Sequence, residues 1–87
     1  MTSQQPIAVV TGASRGIGRA VALELVGNGY RVFALARSGL DLEDLASLVP
    51  EGEIAAVVAD VADDESREAA VDLIMDATGG YGTDVLV

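Results

Sequence analysis

Thr11-Gly-Ala-Ser-Arg-Gly-Ile-Gly18 is the stretch that decides the fold of this 87-residue chain. It follows a short apolar run, Ile7 to Val10, and leads into an amphipathic segment that begins at Ile17. A short apolar run predicts a strand, clustered glycines predict a tight turn, and helical spacing of apolar residues predicts a helix. Because the first amides of such a helix point beyond the end of the strand, the stretch predicts a site for a dinucleotide phosphate.

The same alternation continues along the rest of the chain. Strands are predicted at 7–11, 31–36, 54–59 and 84–87, and the segments between them have helical spacing. The second and third strands are apolar on both faces, so each needs helices above and below it. With right-handed crossovers, this βαβαβαβ order predicts the α/β class, as an incomplete doubly wound parallel (Rossmann) sheet with the strand order 3-2-1-4.

Each helix is predicted from an apolar face and a stop signal. The stops are Gly27 to Gly29, Pro50 just beyond the second helix, and Gly79-Gly80, while Asp63 is the predicted N-cap of the third helix. The predicted inward residues are Ile17, Ala20, Val21 and Leu25 in the first helix, Leu42, Leu45, Leu48 and Val49 in the second, and Ala70, Val71, Ile74 and Ala77 in the third.

Composition excludes several classes of function. The net charge is −9, and four of the five arginines precede residue 38 together with a single acid, so general nucleic-acid binding is disfavoured while the glycine-rich stretch has basic neighbours. Without cysteine or histidine we predict no metal site and no disulfide. No apolar run approaches the roughly 18 residues of a membrane span, so we expect no membrane association and a cytoplasmic protein.

The three glycines of the opening stretch have separate predicted roles. Gly12 ends the strand at a turn, Gly16 lets the main chain approach a ligand, and Gly18 lets the helix lie close to the strand. The spacing is not that of a nucleoside-triphosphate loop, and the chain has no lysine. An ordinary glycine-rich turn is the alternative interpretation. The predicted phosphate-binding residues are Gly12, Ser14, Arg15, Gly16, Ile17 and Gly18.

These residues resemble the cofactor signature of the short-chain dehydrogenases/reductases, and the resemblance covers all 87 residues. Asp60-Val61 is similar to the pair that contacts adenine in this family, and Asp84 to Val87 is similar to the strand before its Asn-Asn-Ala-Gly turn. The resemblance implies a nicotinamide dinucleotide, hydride transfer involving a small carbonyl or alcohol substrate, and a homo-oligomeric parent protein. For Asp60, an acid that only flanks a turn is the alternative.

The end of the second strand, Leu35-Ala36-Arg37, indicates which dinucleotide is bound. NAD sites usually have an acid here that accepts hydrogen bonds from the ribose 2′-hydroxyl. Ala36 instead leaves room, and Arg37 can clamp a 2′-phosphate, with Arg15 reaching it from the other side. We therefore predict NADP rather than NAD. The alternative for Arg37 is an ordinary solvated side chain, and the nearby Asp41 and Asp44 are interpreted as residues of a helix start.

The family's catalytic residues are missing from these 87 residues. A Tyr-x-x-x-Lys pair is impossible without lysine, and Tyr30 and Tyr81 are followed four residues later by Ala34 and Val85. We therefore predict no catalytic residue, and expect the chain to be roughly the N-terminal third of a single longer Rossmann domain. A nucleotide-binding module without turnover is the alternative. An S-adenosylmethionine-dependent transferase is weaker, because the second strand does not end in an acid.

Overall fold

The computed structural model describes residues 6–14, 16–77 and 85–86. Strands and helices alternate through these residues as the sequence predicts. The strands are β1 (Ile7–Thr11), β2 (Arg31–Ala36), β3 (Ile54–Val58) and β4 (Val85–Leu86), and the helices are α1 (Gly16–Gly27), α2 (Gly39–Ala46) and α3 (Asp64–Ala77). The remaining residues of the predicted fourth strand, Asp84 and Val87, lie outside the described residues.

All strand pairs are parallel, and the sheet has the order β3-β2-β1-β4. Ile7 pairs with Arg31 and Thr11 with Leu35 across β1 and β2, whereas β4 pairs with β1 at two positions among the described residues. The α/β class with a doubly wound parallel sheet is confirmed. In this arrangement the carboxyl ends of β1, β2 and β3 lie side by side at one edge of the sheet.

Aliphatic side chains and Phe33 fill the two layers that flank the sheet. On one face α1 and α2 cover alternate strand residues, with Ala22, Leu42 and Leu45 fully buried against them. On the other face α3 alone contributes, through Ala70 and Ile74. One face of the sheet is therefore covered by two helices and the other by a single helix within the described residues.

Helix α1 is rotated relative to the predicted inward face. Ile17 is 82% exposed and Ala20 is also exposed, whereas Ala22 is fully buried. The rotation follows from the close seating of Gly18 on the turn before the helix, since residues four apart share a helix face. The predicted stop is confirmed: Gly29 has a φ of 90°, and the Tyr30 N–H donates to the Leu25 carbonyl, which forms a Schellman ending.

Helix α2 is shorter than predicted. It ends at Ala46, and Leu48, expected on the inward face, is 54% exposed. The hydroxyl of Ser47 donates to the Asp44 carbonyl at 2.6 Å, and the Leu48 N–H donates to the Leu45 carbonyl three residues earlier. Such side-chain and three-residue bonds compete with the continuing α-helical pattern, so the helix closes before Val49.

Two predictions of burial are wrong at the margins of the layers. In β3, Val58 is 63% exposed and Ala56 is exposed, because β3 is an edge strand of the described sheet rather than a central one. In α3, Val71 is 52% exposed and Ala77 is exposed. Ala70 and Ile74 point this helix at the sheet, and Val71 is turned about 100° away from Ala70.

Across the described ranges, none of the helices has both the length and the apolar character that crossing a membrane requires.

Candidate dinucleotide-binding site

A cleft of about 540 Å³ lies at the carboxyl edge of the sheet, where the loops after β1, β2 and β3 meet. Its volume is within the range of small-molecule sites, and its position is the one at which open α/β sheets bind ligands. Three segments that are far apart in sequence contribute to it. The lining residues are Gly12, Ser14, Leu35, Ala36, Arg37, Ser38, Asp41, Ala59, Asp60 and Val61.

The loop after β1 has a backbone that glycine makes possible. Gly12 and Gly16 have φ angles of 60° and 63°, a region that other residues enter at a cost. A Cβ added at Gly18 would clash with the Gly12 carbonyl oxygen, so a side chain there would push α1 away from the loop. The Ala13 N–H donates to the Leu35 carbonyl at 3.1 Å, which fixes the loop against β2.

The first turn of α1 has no internal acceptor for its amides within the described residues. This first turn contains no acid, and no described side chain caps it. The preceding residue in the sequence is Arg15, and an arginine side chain has hydrogen-bond donors but no acceptor. The first amides of a helix have no intrahelical partner and carry the positive end of the helix dipole. This helix start is therefore suited to an anion.

The end of β2 adds a positive charge to the cleft. Arg37 is exposed, lines the cleft and has no hydrogen-bond partner among the described residues. The preceding Ala36 is 8% exposed, and its carbonyl accepts the Ala59 N–H at 2.9 Å. An alanine in this position leaves the space beside the guanidinium group free of a carboxylate from β2.

Two lining residues after β2 were missed by the sequence reasoning. Ser38 is the N-cap of α2, where its hydroxyl accepts the Asp41 N–H at 3.2 Å. Asp41 is a residue of a helix start, as predicted, and it also brings a carboxylate into the cleft. In the sequence, the polar residue Ser38 directly after Arg37 could have indicated that this segment lines the cleft. Asp44 lies away from the cleft and pairs with Arg19 of α1 at 3.4 Å.

The turn after β3 brings Asp60 and Val61 into the same cleft. The Asp60 carboxylate accepts the Ala62 N–H at 3.0 Å through Oδ1. Asp63 caps α3 as predicted, since its carboxylate accepts the Ser66 N–H at 2.9 Å. The structure thus gives Asp60 a turn-forming contact and also places it on the cleft wall, so the two interpretations of this residue are compatible.

The predicted site residues do not all meet in the cleft. Gly12, Ser14 and Arg37 line it together with the Asp60-Val61 pair. Gly16, Ile17 and Gly18 belong to the first turn of α1 and are not among the lining residues, so a ligand would meet them through the amides at the helix start. Arg15 lies outside the described residues.

Comparison with known proteins agrees with this geometry. The family described as short chain dehydrogenase matches residues 6–87. The 3-oxoacyl-(acyl-carrier-protein) reductase FabG of Pseudomonas aeruginosa is 41% identical over 81 residues, which are 91% of this chain and 33% of the relative.

Two solved structures have the same fold over nearly the whole chain. An alcohol dehydrogenase from the archaeon Thermococcus sibiricus, complexed with 5-hydroxy-NADP, has a TM-score of 0.86 and 34% identity, covering 95% of this chain and 36% of that one. A 3-ketoacyl-(acyl-carrier-protein) reductase from Brucella melitensis, complexed with NADH, has a TM-score of 0.84 and 27% identity, covering 93% and 32%.

The chain thus spans about a third of the length of these proteins. The matches run through the glycine-rich loop, the end of β2 and the turn after β3, which together form the cleft. The chain belongs to the short-chain dehydrogenase family.

Proposed function

We propose that this chain is the NADP-binding part of a short-chain oxidoreductase. The observation that carries the proposal is a single cleft that combines the glycine loop, the Asp60-Val61 turn, and Arg37, which follows Ala36 and has no partner among the described residues. A phosphate group would meet the open start of α1, and the 2′-phosphate of the adenosine ribose would meet Arg37. The adenine would meet Asp60 and Val61.

When bound, the nicotinamide ring supplies or accepts a hydride in exchange with a carbonyl or alcohol carbon of a small substrate. The residues of this chain contribute binding and orientation of the dinucleotide. The chain has no lysine, so we place the proton-transferring residues of the parent protein outside residues 1–87 and expect these residues alone to be inactive. We treat residues 1–87 as the first part of a single domain, and a homo-oligomeric parent stays a prediction.

Binding without turnover is a second candidate for the 87 residues themselves. The observation that favours it is the absence of lysine from the sequence, which excludes the Tyr-x-x-x-Lys pair. This candidate uses the same cleft and the same dinucleotide. Both candidates predict no hydride transfer by residues 1–87 alone, so only a hydride-transfer assay of the longer parent protein separates them, while a binding assay of the chain tests what they share.

Calorimetric titration of the chain with NADPH and NADH tests the shared proposal. We expect NADPH to bind roughly tenfold or more tightly, because a charged hydrogen bond to the 2′-phosphate contributes about 1.5–3 kcal/mol. The ratio of NADPH affinity to NADH affinity should decrease as salt is added, since salt screens a contact between Arg37 and the 2′-phosphate near the protein surface.

Titration with adenosine 2′,5′-bisphosphate and with adenosine 5′-monophosphate isolates the half of the ligand that the cleft would hold. The same preference should appear between these fragments if it originates at Arg37. Equal affinity for NADPH and NADH, or tighter NADH, would contradict the NADP assignment while leaving a nicotinamide dinucleotide as the ligand.

A further inference from the structure

The turn at residues 60–62 is held from outside the cleft by the first turns of α3. The Asp60 N–H donates to Ser66 Oγ at 2.9 Å, and Arg67 Nη1 donates to the Val61 carbonyl oxygen at 3.0 Å. Arg67 is itself oriented by Asp64, whose Oδ1 lies 2.6 Å from Nη2. Neither Ser66 nor Arg67 lines the cleft, so both act on it only through the turn.

These contacts leave a donor and an acceptor available on the consecutive residues Asp60 and Val61. The Ala62 N–H is taken by Asp60 Oδ1, and the Asp63 N–H is taken by the Asp60 carbonyl. In the described part of the chain the Val61 N–H has no acceptor, and the second carboxylate oxygen of Asp60 has no donor. Both residues line the cleft, so a bound ligand can reach a donor and an acceptor on consecutive residues.

This pair distinguishes between purines. A 6-aminopurine presents an amino donor beside the N1 acceptor, which is complementary to the Asp60 carboxylate beside the Val61 N–H. A 6-oxopurine presents the reverse arrangement, an oxygen acceptor beside an N1–H donor. A site built around hydrogen bonds discriminates strongly against a ligand that leaves its polar groups unpaired.

We propose that Ser66 and Arg67 are positioning residues that hold the 60–62 turn in the geometry selective for a 6-aminopurine. This inference rests on the proposed function, because it names the residues that hold the turn to which the adenine is assigned. Ser66 fixes the backbone of Asp60, and Arg67 fixes the peptide that follows Val61. Loss of either contact should reduce the discrimination between bases. It should have little effect on the stability of α3, which retains the cap from Asp63.

The test is a titration of the chain with NADPH and with its hypoxanthine analogue, in which an oxygen replaces the 6-amino group. We expect Ser66→Ala to lower the affinity for NADPH by roughly fivefold and to leave the affinity for the analogue nearly unchanged. Ser66→Thr keeps the hydroxyl and should restore discrimination, and Arg67→Met should resemble Ser66→Ala. Ser47→Ala, which removes a hydroxyl bond at the end of α2 and away from the cleft, is the matched control.

The outcomes separate this inference from the function on which it rests. Wild-type protein that binds neither dinucleotide would overturn the proposed function and the positioning role together. Wild-type protein that binds both equally well would overturn the positioning role alone, as would an equal loss of both affinities in Ser66→Ala. Selective loss in Ser66→Ala and Arg67→Met, with rescue by Ser66→Thr, supports the role.

Discussion

Helices α1 and α3 both start at the carboxyl edge of the sheet, but their first turns are built differently. The first turn of α1 contains two glycines and no acid, and no described side chain accepts a hydrogen bond from its amides. The first turn of α3 is closed by Asp63, whose carboxylate accepts the Ser66 N–H, and it carries Asp64 and Glu65 as well.

The difference shows how one edge of a sheet can serve two purposes. An open helix start offers amides and a positive dipole end to an anion, whereas a capped start has satisfied its own donors. The capped start of α3 instead uses its side chains to shape the adjacent turn at Asp60 and Val61. We therefore propose that phosphate binds at the start of α1 and that the turn held by α3 recognises the base.

The largest expected effect is at the seat of the open helix. Gly18→Ala places a Cβ against the Gly12 carbonyl, and overpacking of this kind should lower the free energy of unfolding by about 3 kcal/mol, or roughly 10–20 °C in Tm. Gly27→Ala, in the same helix with open space around it, should be neutral or slightly stabilising. Thermal unfolding followed by circular dichroism checks both variants, and equal Tm values would refute the close seating of α1.

Two glycine substitutions with a smaller effect on stability separate backbone strain from ligand binding. Gly16→Ala and Gly52→Ala each place a side chain at positive φ in open space, so each should cost about 1–2 kcal/mol of folding free energy. Only Gly16→Ala should also weaken NADPH binding, by roughly tenfold, because the added Cβ obstructs approach to the helix amides. The paired unfolding and titration curves check this. Equal NADPH affinities would contradict an anion site at the start of α1.

Removal of the cap at the start of α3 should lower the free energy of unfolding by about 1 kcal/mol. Asp63→Ala removes the acceptor for the Ser66 N–H, which should lower Tm by roughly 4–8 °C. Asp72→Ala, at an exposed position further along α3, should change the free energy of unfolding by less than about 0.5 kcal/mol. If the two variants melt at the same temperature, the cap does not stabilise α3.

The smallest effect is expected at Asp41, the acid of α2 that lines the cleft. Asp41→Asn removes a negative charge from the cleft lining, so NADPH should bind roughly two- to fivefold more tightly while NADH affinity stays nearly constant. Glu43→Gln is the control, because it removes a negative charge from an exposed position of α2 that does not line the cleft. Titrations in which Asp41→Asn weakens NADPH binding would show that this carboxylate contacts the ligand favourably.

Features that depend on neighbouring residues could be predicted from the sequence. The turn at Gly12, the stop at Gly29 and the cap at Asp63 each need only a few consecutive residues, and the structure has all three. The alternation of strands and helices is likewise encoded in local periodicity. This alternation led to the correct fold class, and the resemblance of the glycine-rich motif and Asp60-Val61 led to the family.

Features that depend on tertiary contacts could not be predicted. The exposure of Ile17 results from the seating of Gly18 on the Gly12 carbonyl, which periodicity does not report. The contribution of Asp41 to the cleft and the hold of Arg67 on Val61 join residues that come together only after the elements pack. These positions complete the candidate site around the motif residues.

The central claim, that Arg37 makes this cleft an NADP site, is tested most directly by the NADPH affinity of Arg37→Ala. We expect Arg37→Ala to lower the affinity for NADPH roughly 10- to 100-fold and to leave the affinity for NADH unchanged. Both affinities should change little in Arg19→Gln, which removes a charge outside the cleft. Unchanged NADPH affinity in Arg37→Ala would contradict the claim.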